Sequence, residues 1–130
     1  MEANEIRIGN YVNLYDDFNA QVTGMTNTGD VWCVDNPKNK ECAWVISNIK
    51  PIPLTEEWLL KFGFKKQRYL NLLDKSYVLG ILEFEFLKDN KIEVSITNGF
   101  DNTFIDVDCS NVHQLQNLYH ALTGNELTTK

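Results

Sequence analysis

The stretch Tyr77-Val78-Leu79-Gly80-Ile81-Leu82-Glu83-Phe84-Glu85-Phe86-Leu87-Lys88-Asp89-Asn90-Lys91-Ile92-Glu93-Val94-Ser95-Ile96-Thr97 decides the class of fold. Leu82, Phe84 and Phe86 alternate with Glu83 and Glu85, and Ile92, Val94 and Ile96 alternate with Lys91, Glu93 and Ser95. A period of two buries one face of a strand and wets the other. Asp89-Asn90 between the runs is a tight turn, because Asx residues tolerate positive φ. The spacing therefore predicts an antiparallel pair, 77–87 with 91–97, extended by strands over 69–73 and 103–107.

Upstream, short strands are predicted over 10–14, 20–26, 31–35 and 42–46. Asp16-Asp17, Asn27-Thr28-Gly29-Asp30 and Asn36-Pro37-Lys38-Asn39 separate them, and all are turn formers. Strands so few and so closely spaced fit a small curled sheet or barrel. The opening Ile6-Arg7-Ile8-Gly9-Asn10-Tyr11-Val12 looks like the entry of an SH3-like barrel, a tight Gly-polar turn leading into the first long strand. Pro51 and Pro53 stop the sheet, since neither can donate to a ladder.

Two helices complete the pattern. Thr55 is placed to cap a short one, with Glu56 and Glu57 at the positive end of its dipole, Leu54 stapling against Leu59, and Gly63 at the left-handed exit. The second begins at Ser110 or Asn111 and carries Val112, Leu115, Leu118, Tyr119 and Leu122 at helical spacing, closing at Thr123-Gly124. His113, Gln116, Asn117 and His120 fall on its opposite, polar face, and 125–130 are expected to fray. The fold class is α+β: one compact domain over 1–130. It comprises an SH3-like β subregion, 1–50, and a helix, antiparallel sheet and helix subregion, 51–130, with the last helix packed on that sheet.

Composition limits the function. Twelve basic against eighteen acidic side chains give a net charge of −6, which excludes a protein living on unspecific phosphate affinity. Residues 1–50 carry seven acids and four bases, 51–100 seven of each, and 101–130 four acids and one base. Acid thus gathers at the two ends, where it can meet a basic partner. The longest apolar runs, such as Trp58-Leu59-Leu60, are far shorter than a membrane span, and no signal-peptide core opens the chain. A soluble, cytoplasmic protein is expected.

Candidate chemistry is sparse. Cys33, Cys42 and Cys109 form no CxxC pair, so neither a disulfide framework nor a zinc site is indicated. Cys33 faces Cys42 if the intervening turn centres on Pro37-Lys38; with a loop one residue longer, Trp32 faces Trp44 and Val34 faces Cys42. His113 and His120 are seven apart, roughly 10 Å along a helix axis, too far for one metal. Cys109 before the second helix, with His113, is the one arrangement resembling an activated thiol, and no third group marks a triad. The pairs Asp16/Asp17, Glu56/Glu57, Glu83/Glu85 and Asp106/Asp108 read as solvated faces rather than as a metal or acid–base site. Glycines are too scattered for a phosphate cradle. Lys61, Lys65, Lys66 and Arg68, interleaved with Phe62, Phe64 and Tyr69, resemble the basic and aromatic mix that holds single-stranded nucleic acid.

Three strings are familiar together. Asn4-Glu5-Ile6-Arg7-Ile8-Gly9-Asn10-Tyr11-Val12 resembles an ELRIGNxV opening. Pro51-Ile52-Pro53-Leu54-Thr55-Glu56-Glu57-Trp58-Leu59-Leu60-Lys61-Phe62-Gly63-Phe64 resembles a PIPLTEEWLLKFGF centre. Val112-His113-Gln114-Leu115-Gln116-Asn117-Leu118-Tyr119-His120-Ala121-Leu122-Thr123-Gly124-Asn125-Glu126-Leu127 resembles a VHQLQNLYFALTGEEL end. In that order they are similar to a group of small uncharacterised proteins of Bacteroidota and their phages and prophages. This sequence departs from the pattern at His120, where it is aromatic, and at Asn125, where it is acidic. The resemblance implies provenance, a mobile-element accessory protein, and such proteins often act as inhibitors or adaptors.

The expectation is a binder and not an enzyme, needing no cofactor and no metal. It would dock on a host protein, a nucleic-acid enzyme or defence nuclease in the sharpest, anti-CRISPR-like version. Asp16, Asp17, Asp106, Asp108, His113 and His120 are the candidate contact residues. The alternative is a nucleic-acid-contacting module using Lys61, Lys65, Lys66, Arg68 and Tyr69.

Overall fold

The computed structural model describes residues 5–14, 18–26, 30–35, 40–45, 49–67, 75–86, 92–97, 101–107 and 109–129. The chain divides into two compact units, Met1–Pro53 with Asn111–Glu126, and Leu54–Ser110 with Leu127–Lys130. Each unit holds one five-stranded antiparallel sheet and one helix, so the α+β class stands.

In the first unit the strands are β1 (Tyr11–Leu14), β2 (Phe18–Met25), β3 (Asp30–Asp35), β4 (Lys40–Val45) and β5 (Ile49–Lys50), in the order β4-β3-β2-β1-β5. The first four form a meander, as the turn formers between them require, and β5 returns beside β1. Alternation places Val12, Leu14, Ala20, Val22, Val31 and Cys33 on the buried side, where they form a core with Ile6 and Ile49. The β3–β4 register sets Cys33 opposite Cys42 and Trp32 opposite Ala43, the shorter of the two loops considered. Among the described residues no pairing joins β4 to β5, and the sheet is open.

The C-terminal helix α2 (Val112–Thr123) belongs to this unit. The expected division, 1–50 and 51–130, placed this helix with the second sheet, whereas by its contacts it groups with the first. Ile52 C=O accepts from Val112 N–H at 2.8 Å, and a lone bridge pairs Pro53 with Asn111. Asn111 is the cap, and its own N–H donates to the Gln114 side chain at 3.0 Å.

The second unit contains α1 (Glu56–Lys61), β6 (Lys65–Gln67), β7 (Lys75–Leu79), β8 (Leu82–Phe86), β9 (Ile92–Thr97) and β10 (Asn102–Ile105), with sheet order β10-β9-β8-β7-β6. Thr55 Oγ1 caps α1 by accepting from Trp58 N–H, and Leu54 and Leu59 are both buried, as the sequence predicts. Phe64 N–H bonds Leu59 C=O and Gly63 N–H bonds Leu60 C=O, a Schellman exit through Gly63 at φ 94°. The pair predicted over 77–87 and 91–97 is present, but 77–87 is not one strand. Leu79 pairs with Leu82 across a two-residue turn led by Gly80 at φ 59°. Such a turn needs positive φ at its first central residue, which glycine supplies without steric cost. The strand expected over 69–73 lies outside the described residues. Tyr77, Leu82, Phe84 and Val94 fill the buried face, with Phe86 set edge-on to Tyr77 at 5.8 Å and to Phe84 at 5.5 Å.

Candidate functional site

The most elaborate polar arrangement lies in the first unit, where the Ile6–Asn10 turn meets α2. Gly9 has φ 100°, a conformation that favours glycine, and a Cβ there would stand 3.3 Å from Glu126 Oε2, close enough that the Glu126 side chain would have to shift. The turn brings Gly9 C=O and Tyr11 N–H within reach of one helix side chain, with Gln21 Nε2 also donating to Gly9 C=O at 3.2 Å. Gln116 Nε2 donates to Gly9 C=O at 2.9 Å, and its Oε1 accepts from Tyr11 N–H at 2.8 Å. Asn10 accepts from Arg7 N–H at 2.7 Å and donates to Asn117 Oδ1 at 2.9 Å, while Asn117 donates to Glu5 C=O at 2.9 Å. Asn10 and Gln116 are both fully buried. Buried polar groups of this kind cost stability unless satisfied, and these are bonded at both ends.

At the rim of this network Arg7 grips Glu126 through both carboxylate oxygens, the second at 3.2 Å, and reaches Gln116 C=O at 3.4 Å. That bond from Arg7 holds the Glu126 carboxyl below the usual carboxylate range; its charge and that of His120 add to the effect against a smaller opposing desolvation. Within the stretch expected to fray, 125–130, Glu126 is tied to Arg7 and Leu127 is buried, while Asn125, Thr128 and Thr129 are exposed.

The predicted contact residues are scattered. His113 is 2% exposed, with Nε2 3.9 Å from Glu5 Oε2, so its placement on a wet helix face is corrected. His120 is half-buried and lies 3.9 Å from Glu126 Oε1. Asp106 is exposed, and Asp16, Asp17 and Asp108 lie outside the described residues. In the basic patch Lys61 pairs with Glu57 at 3.3 Å and sits 4.9 Å from the Trp58 ring centre, Lys66 lies 3.9 Å from Glu56, and Lys65 is exposed. Arg68 and Tyr69 are outside the described residues. Phe62 and Phe64 are core side chains, 0% and 2% exposed, and cannot stack bases.

The thiols are no better placed for catalysis. Cys109 is buried, and desolvation pushes the Cys33 thiol up to about 11, far from a thiolate at neutral pH. Among the described residues no group of three or more His, Cys, Asp or Glu could hold a metal ion, and no helix is long and apolar enough to cross a membrane. Gln116 and Asn117 escape sequence reasoning because polar residues on one helix face read as solvent-facing, and Asn10 because it reads as a turn residue. The usable signal was a buried-length helix whose polar stripe holds amides rather than Lys or Glu.

No family model matches this chain, and neither the curated proteins nor the solved structures compared with it include a match.

Proposed function

We propose that this protein acts by binding: a phage- or prophage-type accessory protein that docks, in the cytoplasm, on a host protein through an acidic surface. A host defence nuclease, inhibited in the anti-CRISPR manner, is the most specific form of that reading. The observation that carries it is the charge, −6 overall with acid concentrated toward both ends of the chain. A basic nucleic-acid groove is the complementary surface for such a distribution. The resemblance of the three quoted strings to proteins of Bacteroidota phages and prophages supports the same origin. We also infer an SH3-like arrangement for the first sheet, supported by a meander whose fifth strand returns beside the first.

The nucleic-acid alternative has less behind it, because Lys61 and Lys66 already face carboxylates and the neighbouring phenylalanines are core. The test of the main reading is capture of a stoichiometric host protein by the tagged chain after nuclease treatment, followed by charge reversal at Asp16, Asp17, Asp106 and Asp108. The reversed variant is expected to bind at least about tenfold more weakly at low salt, since steering and complementarity both depend on those charges. Unchanged binding and inhibition by that variant defeats the acidic-surface reading. Recovery that depends wholly on nucleic acid favours the alternative.

A further inference from the structure

Strands β3 and β4 carry one cysteine each, Cys33 and Cys42, and the register sets the two directly opposite. The hydrogen bonds of the neighbouring strand fix the kind of pair they form. Val22 is the partner of Cys33 on β2; its N–H donates to Asn10 C=O and its C=O accepts from Gly9 N–H, both at 2.8 Å and both away from β3. Opposed residues of an antiparallel pair exchange both backbone bonds or neither, and a residue that turns from one neighbour turns to the other. Cys33 therefore directs its backbone groups to β4 and makes a hydrogen-bonded pair with Cys42, in which the Cα atoms stand about 5.5 Å apart. Disulfides span Cα separations of about 4.4–6.8 Å, so a bond between these positions asks for no shift of either strand.

The place of the pair in the sheet gives such a bond a consequence. Strand β4 is an edge, and among the described residues it pairs with β3 alone. Cys33 is a free thiol in the core of the first unit, and burial pushes it up to about 11. The thiolate is the attacking species, so the closed hairpin reacts slowly. A segment paired on one side opens locally at less than the global cost of unfolding, and opening of β4 uncovers Cys33. Cys109 belongs to the other compact unit.

We infer that Cys33 and Cys42 are a reversible redox pair whose cross-strand disulfide fastens the edge strand β4 to β3. The oxidant is a low-molecular-weight disulfide such as that of glutathione. One thiolate of the pair attacks it, giving a mixed disulfide and releasing one small thiol. The second cysteine then attacks the mixed disulfide, closing the protein S–S bond and releasing the other small thiol. Two electrons and two protons pass from the pair to the two small thiols, and the reverse exchange restores the reduced hairpin. The bond stabilises by removing freedom from the opened chain, so its effect falls on β4. The inference stands apart from the binding role proposed above.

The reduced full chain is equilibrated in glutathione buffers of rising oxidised fraction, alkylated and mapped by peptide mass, and amide exchange is followed in the two end states. One intramolecular bond, Cys33 to Cys42, is expected, with Cys109 recovered as a thiol and the bond removed by excess reduced glutathione. Exchange of the amides of 40–45 should slow about tenfold or more in the oxidised chain. Cys109→Ala, which leaves the pair intact, should behave as the parent, whereas Cys42→Ala should show no slowing. Thiols that all persist in oxidised glutathione, or a bond from either residue to Cys109, overturn the pairing. A Cys33–Cys42 bond that forms only in urea-unfolded chain overturns it as well, because the folded register is then not its cause. Unchanged exchange of 40–45 in the oxidised chain overturns the fastening of β4, and a bond that excess reduced glutathione leaves intact overturns the reversible role.

Discussion

The two sheets have five antiparallel strands each and are stabilised by different means. The second is closed over by aromatic and aliphatic side chains, Tyr77, Leu82, Phe84 and Val94, with α1 held by a cap at one end and a Schellman exit at the other. The first also has an aliphatic core, but its helix α2 is pinned to the Gly9–Tyr11 turn by amides, chiefly Gln116 and Asn117. Apolar burial is non-directional and tolerates adjustment, whereas a buried amide bonded to two fixed backbone groups specifies one position. The contrast teaches that similar strand counts can hide one unit held by packing and another whose helix is registered by hydrogen bonds.

The largest expected effect is in the apolar unit. Phe84→Ala removes a fully buried ring and should cost about 3–5 kcal/mol, measured by urea unfolding, with amide exchange accelerated first in 75–97. A loss below ~1 kcal/mol would mean that the aromatic face is not what holds this sheet. Next comes Gln116→Leu, which roughly keeps the volume, takes the Gln116 acceptor from Tyr11 N–H and leaves Gly9 C=O accepting from Gln21 Nε2 at 3.2 Å. About 1–3 kcal/mol should be lost, and exchange at Tyr11 should quicken. A neutral result would weaken the contrast, leaving Asn117 as the amide that pins α2 beside the packing of Val112 and Leu115.

The smallest effect sharpens the picture at the rim. Both partners of the Arg7–Glu126 pair are partly exposed, so the pair contributes about 1 kcal/mol at most. The Glu126 carboxyl titrates lower in the folded chain than in the unfolded one, so its contribution is present above the ordinary carboxylate range. It is lost as pH falls through the folded value. Glu126→Gln should therefore lower stability slightly at neutral pH and converge with the parent in acid. A difference that instead grows as the pH drops would show that Arg7 is not its governing partner.

Local signals carried much of the fold. The alternation in 82–86 and 92–97, the turn formers between the first strands, and Thr55, Leu54 and Gly63 around α1 each act within a few residues, so they are visible without knowing the rest. Gly80 was the signal overlooked: inside an apolar run it marks a hairpin, because Leu79 and Leu82 are partners and not successive members of one strand. His113 and Gln116 misled for another reason. Their polarity describes what they can bond, and whether the bond goes to water or to a backbone turn more than a hundred residues away is not written in their neighbours.

By itself the chain determined its class, the placement of caps and turns, the acidic balance and the lack of any recognisable catalytic motif, because these depend on composition and short-range periodicity. Only the tertiary structure decided that α2 joins the first sheet and that Glu126 and Leu127 are held rather than frayed. Those outcomes depend on which distant backbone groups a side chain finds when the chain closes on itself. No local pattern encodes them, because closing the chain sets the partners of each buried group and each edge.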